Sequence, residues 1–250
     1  MQFRRSLPGR GSTAFYFTDE DAGGMKREQQ EYLADLIMSY RGRYPSLAVN
    51  AVWDFGMEEG DPVQGEKYGV FADSRDHAVY NAKMLTISFN HAKLRNMPCL
   101  MPEDEIRRIS KYKAKYSGLP TTVKRLEESY LAAGVPWPKI DGMIRSELGI
   151  TACAENDLPV ADPYFADVQV IRVLENTMSL QRILVHEIGH MLSEESGAVS
   201  HRKVKKLFGK CRDGFENLYE FCAECYMAAE LMPGIALSDE YAGILAEIIK

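Results

Sequence analysis

An α+β architecture is what this sequence predicts, and three observations predict it. Short runs of strand character crowd the chain before residue 90, helical periodicity takes over from Pro98, and a further apolar run at Val168–Leu174 reads as a strand. Together they describe a small mixed sheet packed on helices, with a helical insertion at about 98–150. Residues 1–12, with Arg4, Arg5, Pro8, Gly9 and Gly11, read as a flexible lead-in, and 13–250 as one domain carrying the insertion.

The elements follow in order. Leu33, Leu36, Ile37 and Tyr40 recur at helical spacing, so Met25–Tyr40 is a helix, with Asp19, Glu20 and Asp21 as caps and Gly42 and Pro45 as stops. Leu47–Phe55 alternates as a strand does, and the Gly-, Pro- and acid-rich stretch Gly56–Gly65 is a loop. Tyr68–Ala72 and Met84–Phe89 are short strands, and the polar residues between them, Asp73 to Asp76 among them, predict a hairpin. Glu103–Tyr116, Thr121–Ala133 and Ile140–Leu148 are the helices of the insertion, with Pro136-Trp137-Pro138 as a stiff joint. After the strand at 168–174, Asn176, Thr177 and Ser179 offer caps for a helix running to about Glu195. A polar helix at 199–209, a long one at Glu216–Met232 ended by Pro233-Gly234, and a last one from Ser238 complete the chain.

Bulk properties narrow the function. Hydrophobic residues at 46% and charged residues at 26% are those of a soluble globular protein. A net charge of -6 weighs against nucleic acid as a partner, which needs a basic surface. The cations between Arg107 and Arg125 form a local exception that a solvated helix face explains. Five scattered cysteines make no disulfide framework and fit a reducing compartment, and Cys222 and Cys225 read as core thiols. With no signal-peptide pattern and no apolar run near 18 residues, the expected location is cytoplasmic, without a membrane partner.

The chemistry is carried by His186-Glu187-Ile188-Gly189-His190, inside the otherwise apolar run Leu184–Leu192. Residues four apart share a helix face about 5–6 Å apart, so two imidazoles reach one ion. The glutamate between them can reach a water on that ion as a general base. Zn²⁺ in a catalytic site takes three protein ligands and leaves a fourth position for water. A third histidine at the spacing HExxHxxGxxH is ruled out, because Ser193 and Ser196 stand where Gly and His belong. His201 sits among cations on a surface helix, and His77 and His91 read as surface or edge-strand residues. Ligands at His186, His190 and Glu194 would span about 12 Å of one helix axis, too far for one ion. Attention therefore passes to Phe215–Tyr226, where Glu216, Glu220 and Glu224 recur every four residues in apolar surroundings. A carboxylate buried there is costly without a cation or donors.

HExxH followed some thirty residues later by a glutamate on a second helix resembles the gluzincin zinc metallopeptidases. More narrowly, Glu220-Phe221-Cys222-Ala223-Glu224-Cys225-Tyr226 is similar to the EFFAExF segment of the anthrax lethal-factor-like peptidase domains. The resemblance implies a zincin-like fold in which the sheet packs on the HExxH helix and a glutamate-bearing helix. It implies Zn²⁺ held by His186, His190 and Glu220, Glu224 as a carboxylate supporting a ligand, and Glu187 as catalytic base. The family tyrosine that stabilises the oxyanion is replaced by Asp213 here, leaving Tyr219, Tyr226 or Tyr241 for that role, Tyr219 foremost. The ending Ala228-Ala229-Glu230-Leu231-Met232-Pro233 is also similar to that of phage- and stress-associated metallopeptidases acting on repressors, a register that moves the ligand toward Glu224. The expected activity is zinc-dependent hydrolysis of peptide bonds in a peptide or protein substrate, with an extended peptide added along the strand Met84–Asn90 taken as a sheet edge. The alternatives are repressor processing and a non-catalytic zinc-binding regulator.

Overall fold

The computed structural model describes residues 1–9, 11–57, 64–67, 70–72, 77–150 and 158–249. The strands are β1 (Gln2–Ser6), β2 (Ser12–Tyr16), β3 (Ala51–Phe55), β4 (Gln64–Lys67), β5 (Val70–Ala72), β6 (Ala78–Asn81) and β7 (Thr86–Asn90). The helices are α1 (Arg27–Arg43), α2 (His91–Leu94), α3 (Glu103–Ser117), α4 (Leu119–Ala132) and α5 (Trp137–Leu148). They continue as α6 (Phe165–Glu175), α7 (Leu180–Glu195), α8 (Arg202–Cys211), α9 (Leu218–Leu231) and α10 (Ala236–Ile249). The protein is an α+β fold with a small mixed sheet. Internal contacts divide the chain into two units, residues 1–102, 177–198 and 248–250 in one, and 103–176 and 199–247 in the other.

The first unit holds a five-stranded sheet of order β1-β2-β3-β7-β6. β2, β3 and β7 run parallel, while β1 and β6 pair antiparallel at the two edges. The interior strand β7 is buried along its whole length, as expected of a strand covered on both faces. α7 packs against α1 and against the edge strand β6. Its start is over-determined. Ser179 Oγ accepts from the Arg182 amide at 3.2 Å, and the Leu180 and Gln181 amides donate to the carbonyls of Pro98 and Cys99. Three of the four orphan amides of a helix N-terminus are thereby satisfied. Gly197, at φ 72°, ends the helix in the left-handed conformation that glycine tolerates.

The second unit is helical among its described residues. α3 packs on α6, α4 on α5, and α9 on both α6 and α8. Phe221 of α9 anchors an aromatic cluster, its ring 5.0 Å from Phe215, 5.5 Å from Phe208 and 5.7 Å from Tyr241. Buried Arg145 holds α5 to the next segment by donating to Asp141 and to the Leu158 carbonyl, its guanidinium lying over the Phe165 ring.

Several expectations are corrected. Gln2–Ser6 of the expected lead-in is an edge strand, because Phe3 stacks on Phe15 at 4.9 Å and a turn through Gly9 and Gly11 folds it onto β2. Residues 168–174 lie within helix α6, not a strand. Their β-branched content suggested a strand, but Phe165, Val168, Ile171 and Leu174 recur every three residues and bury one helical face. The expected hairpin of 68–72 with 84–89 does not form: β7 pairs with β6, and β5 with β4. Met84–Asn90 is therefore no sheet edge; that position belongs to β6. Helix α9 begins at Leu218, so Glu216 precedes it and does not share the face of Glu220 and Glu224. Residues 58–63 of the expected loop, Tyr68, the turn Asp73–Asp76 and Cys153 lie outside the described residues. No described helix is long and apolar enough to cross a membrane.

Candidate metal centre

The first unit contributes the two histidines. On α7 the side chains of Leu184, Val185, Ile188, Met191 and Leu192 are buried, which sets the helix's rotation. His186 and His190, one turn apart on a half-buried face, bring Nε2 to within 3.0 Å of Nε2, with ring centroids 4.7 Å apart and ring planes at 78°. Two nitrogen ligands of a tetrahedral zinc, at 2.0–2.1 Å from it, stand about 3.4 Å apart. The pair stands slightly closer than that, with both nitrogens turned to one spot. Glu187, next along the helix, keeps only 8% of its surface exposed. A carboxylate this buried is held there by what surrounds it.

The other carboxylates of α7 serve the fold. Glu195 accepts from the Ala48 amide at 3.3 and 3.4 Å, tying the end of α7 to the segment that leads into β3. Burial pushes its carboxyl up to about 7; the Ala48 N–H opposes the shift and the Glu194 charge adds to it. Burial also raises the Glu194 carboxyl. The Tyr80 phenol of β6 is raised by burial and by the charges of Glu195 and Glu194.

The second unit carries the glutamates. Asn217 caps α9, its Oδ1 accepting from the amides of Tyr219 at 2.8 Å and Glu220 at 3.0 Å. This sets the backbone of Glu220 in the first helical turn. Glu224 follows one turn later, and both are half-buried, whereas Glu216 is exposed. Phe221, Cys222 and Cys225 are fully buried, and burial drives the Cys225 thiol well above its ordinary range. These thiols belong to the core, as their apolar neighbours predicted. Of the three tyrosines considered for the oxyanion role, Tyr219 is 49% exposed while Tyr226 and Tyr241 are buried. Asp213 lies exposed in a short 3-10 turn ahead of α9.

Of the remaining histidines, His91 is placed differently from expectation. His91 is no surface residue. Its imidazole is 16% exposed, and Nδ1 lies 3.4 Å from Oδ2 of Asp54, a carboxylate only 2% exposed. Asp54 also accepts from the Thr18 amide and hydroxyl at 2.8–2.9 Å, joining the ends of β2 and β3. The imidazole leans over Gly56, where an added Cβ would stand 2.5 Å from Nε2. Nothing in the sequence pattern announced this pair, since its two members lie far apart in the chain. His201 stands at the N-cap position of the cationic helix α8, without a side-chain capping bond, and His77 adjoins edge strand β6, its carbonyl accepting from the Asn90 amide. Compared with protein-family models, curated proteins and solved structures, the chain matches none.

Proposed function

We propose that the protein is a zinc-dependent endopeptidase whose cation is held by His186, His190 and Glu220, on a zincin-like arrangement of the HExxH and glutamate-bearing helices. One observation carries the reading. His186 and His190 of α7 bring Nε2 to within 3.0 Å of Nε2, and α9 carries the half-buried carboxylate of Glu220 in its first turn. Two imidazoles and a carboxylate are the donor set of many catalytic zinc sites, with one position left for water.

When bound, the cation supplies Lewis acidity, bringing its water to a pKa of about 7 and polarising a carbonyl. The chain's own part is proton handling. Glu187, adjacent to a ligand and nearly buried, takes the proton of the attacking water and delivers it to the departing amine nitrogen. Water adds to the carbonyl carbon, the C–N bond breaks, and one acid and one amine leave. Glu224 supports the liganding residues, and Tyr219, exposed next to Glu220, is the tyrosine with access to an oxyanion.

The test is zinc content together with cleavage of a peptide library. Wild type should carry one zinc and cleave; Glu187→Gln should keep the zinc and lose cleavage. Glu220→Gln should lose most of the zinc, and Glu224→Gln should weaken binding only about 10–100-fold, as supporting partners of a ligand do. Stoichiometric zinc with no Glu187-dependent cleavage would leave a non-catalytic zinc protein, and a reversed order of the two glutamates would move the ligand to Glu224.

A further inference from the structure

Helix α8, Arg202-Lys203-Val204-Lys205-Lys206-Leu207-Phe208-Gly209-Lys210-Cys211, carries five cations in ten residues of a chain whose net charge is -6. Val204, Leu207 and Cys211 are buried on one side, and all five cations are exposed on the other. Within the second unit the cations divide into two groups. Lys203 pairs with Glu247, and Lys210 lies 3.9 Å from Glu240 and donates to the Tyr164 hydroxyl at 3.2 Å, so α10 and its surroundings neutralise that flank. The side chains of Arg202, Lys205 and Lys206 have no ion pair or hydrogen bond among the described residues. Their i, i+3 and i+4 spacing gathers three unneutralised cations on one patch, with Cβ atoms about 5–6 Å apart.

From this arc we infer that α8 is a docking surface for an acidic segment of polypeptide, engaged through Arg202, Lys205 and Lys206. As an exosite for a substrate it rests on the peptidase reading; as a binding surface it does not. Charge complementarity selects an acidic partner, and the chemistry of the arc selects the kind. A helix that lies on a lipid surface inserts large apolar side chains, whereas here Val204 and Leu207 are buried in the unit and Phe208 is half-buried against the Phe221 ring. Nucleic-acid binding draws on roughly 6–10 phosphate contacts from a basic protein, against three cations on an acidic one. An extended peptide places same-side carboxylates about 6.5 Å apart, close to the spacing of these three cations.

Fluorescence anisotropy with labelled octaglutamate on the full chain tests this. Wild type should bind, more weakly as salt rises. R202E/K205E/K206E should bind about tenfold or more weakly, and the neutral R202Q/K205Q/K206Q should fall between. K111E/K124E/R125E makes the same change in net charge at exposed positions on α3 and α4, and should leave affinity within about twofold if the effect is local. Equal losses in the two reversal variants, no binding by wild type, or tighter binding of single-stranded RNA or phosphatidylserine vesicles through the same three residues would overturn the inference. Glu187→Gln should bind octaglutamate like wild type. Binding without cleavage would thus fail the peptidase reading alone, and cleavage without binding would fail the surface alone.

Discussion

Glu195→Gln probes the clamp at the end of α7, and its pH dependence has a worked sign. The Glu195 carboxylate is half-buried, accepts from the Ala48 amide and stands near the Glu194 charge and the Tyr80 phenol. Burial holds its carboxyl at about 7 in the fold, against an ordinary 4.5. The native state therefore binds more protons than the unfolded chain between those values, so stability falls as pH rises through that window. The Glu195 contribution is fully present below about 4.5 and lost above about 7. At 1.36 kcal/mol per pKa unit the gap corresponds to about 3.4 kcal/mol, and discounting for the solvent-screened half of the group leaves about 1–2 kcal/mol. Glutamine keeps an acceptor for Ala48 N–H and removes the charge. At pH 8 the variant should be more stable than wild type by about 1–2 kcal/mol, or roughly 3–6 °C in melting temperature, and at pH 4.5 the two should coincide. Urea titrations of both proteins from pH 4.5 to 8 measure the difference directly, with contributions from other titrating groups cancelling. A difference that does not change with pH, or a variant less stable than wild type at pH 8, would refute the reasoning.

Other perturbations test other links. Asn217→Ala removes the acceptor for the Tyr219 and Glu220 amides, and should cost about 1 kcal/mol in a denaturant melt. Zinc affinity, read by competition with a chromogenic chelator, should fall with it if Glu220 is the ligand. Gly56→Ala places a Cβ against His91 Nε2, and should destabilise by about 1–3 kcal/mol. The loss should shrink in a His91→Ala background, which a double-mutant cycle measures. Cys211, Cys222 and Cys225 should stay inert to a thiol reagent until urea unfolds the second unit, because all three are buried and burial raises the Cys211 and Cys225 thiols.

How far the sequence could be read depends on where each determinant lies. The HExxH helix was legible because everything that defines it is local: an apolar stripe, a serine cap, and two histidines one turn apart. The helices of residues 103–148 were legible for the same reason, their ends set by glycines and prolines close to hand. The strand pairings were not. β7 reads as an apolar run from either of two partners, and only the sheet order β3-β7-β6 decides that it is interior. α6 was misread because β-branched residues carry a strand preference that tertiary packing overrides, here by burying the Phe165–Leu174 face in an all-helical setting. The start of α9 turned on a single side chain, Asn217, whose capping bonds moved Glu216 off the helix.

What separates the motif from its support has a consequence for chemistry. A metal or catalytic constellation works when its ligands are held within a few tenths of an ångström, and that precision comes from the elements behind the ligands. For His186 and His190 those elements are the two ends of α7. The first turn is tied to the backbone of Pro98 and Cys99, and the last to Ala48 through Glu195. Both ties join residues at least eighty positions apart in sequence, so no local pattern reveals them. The histidine pair can be read from five consecutive residues, yet its rigidity depends on two loops that precede the motif by most of a domain. Substitutions in those loops should therefore loosen the Nε2–Nε2 geometry without touching a histidine, and a scan of zinc affinity across residues 46–49 and 98–100 is where that dependence becomes measurable.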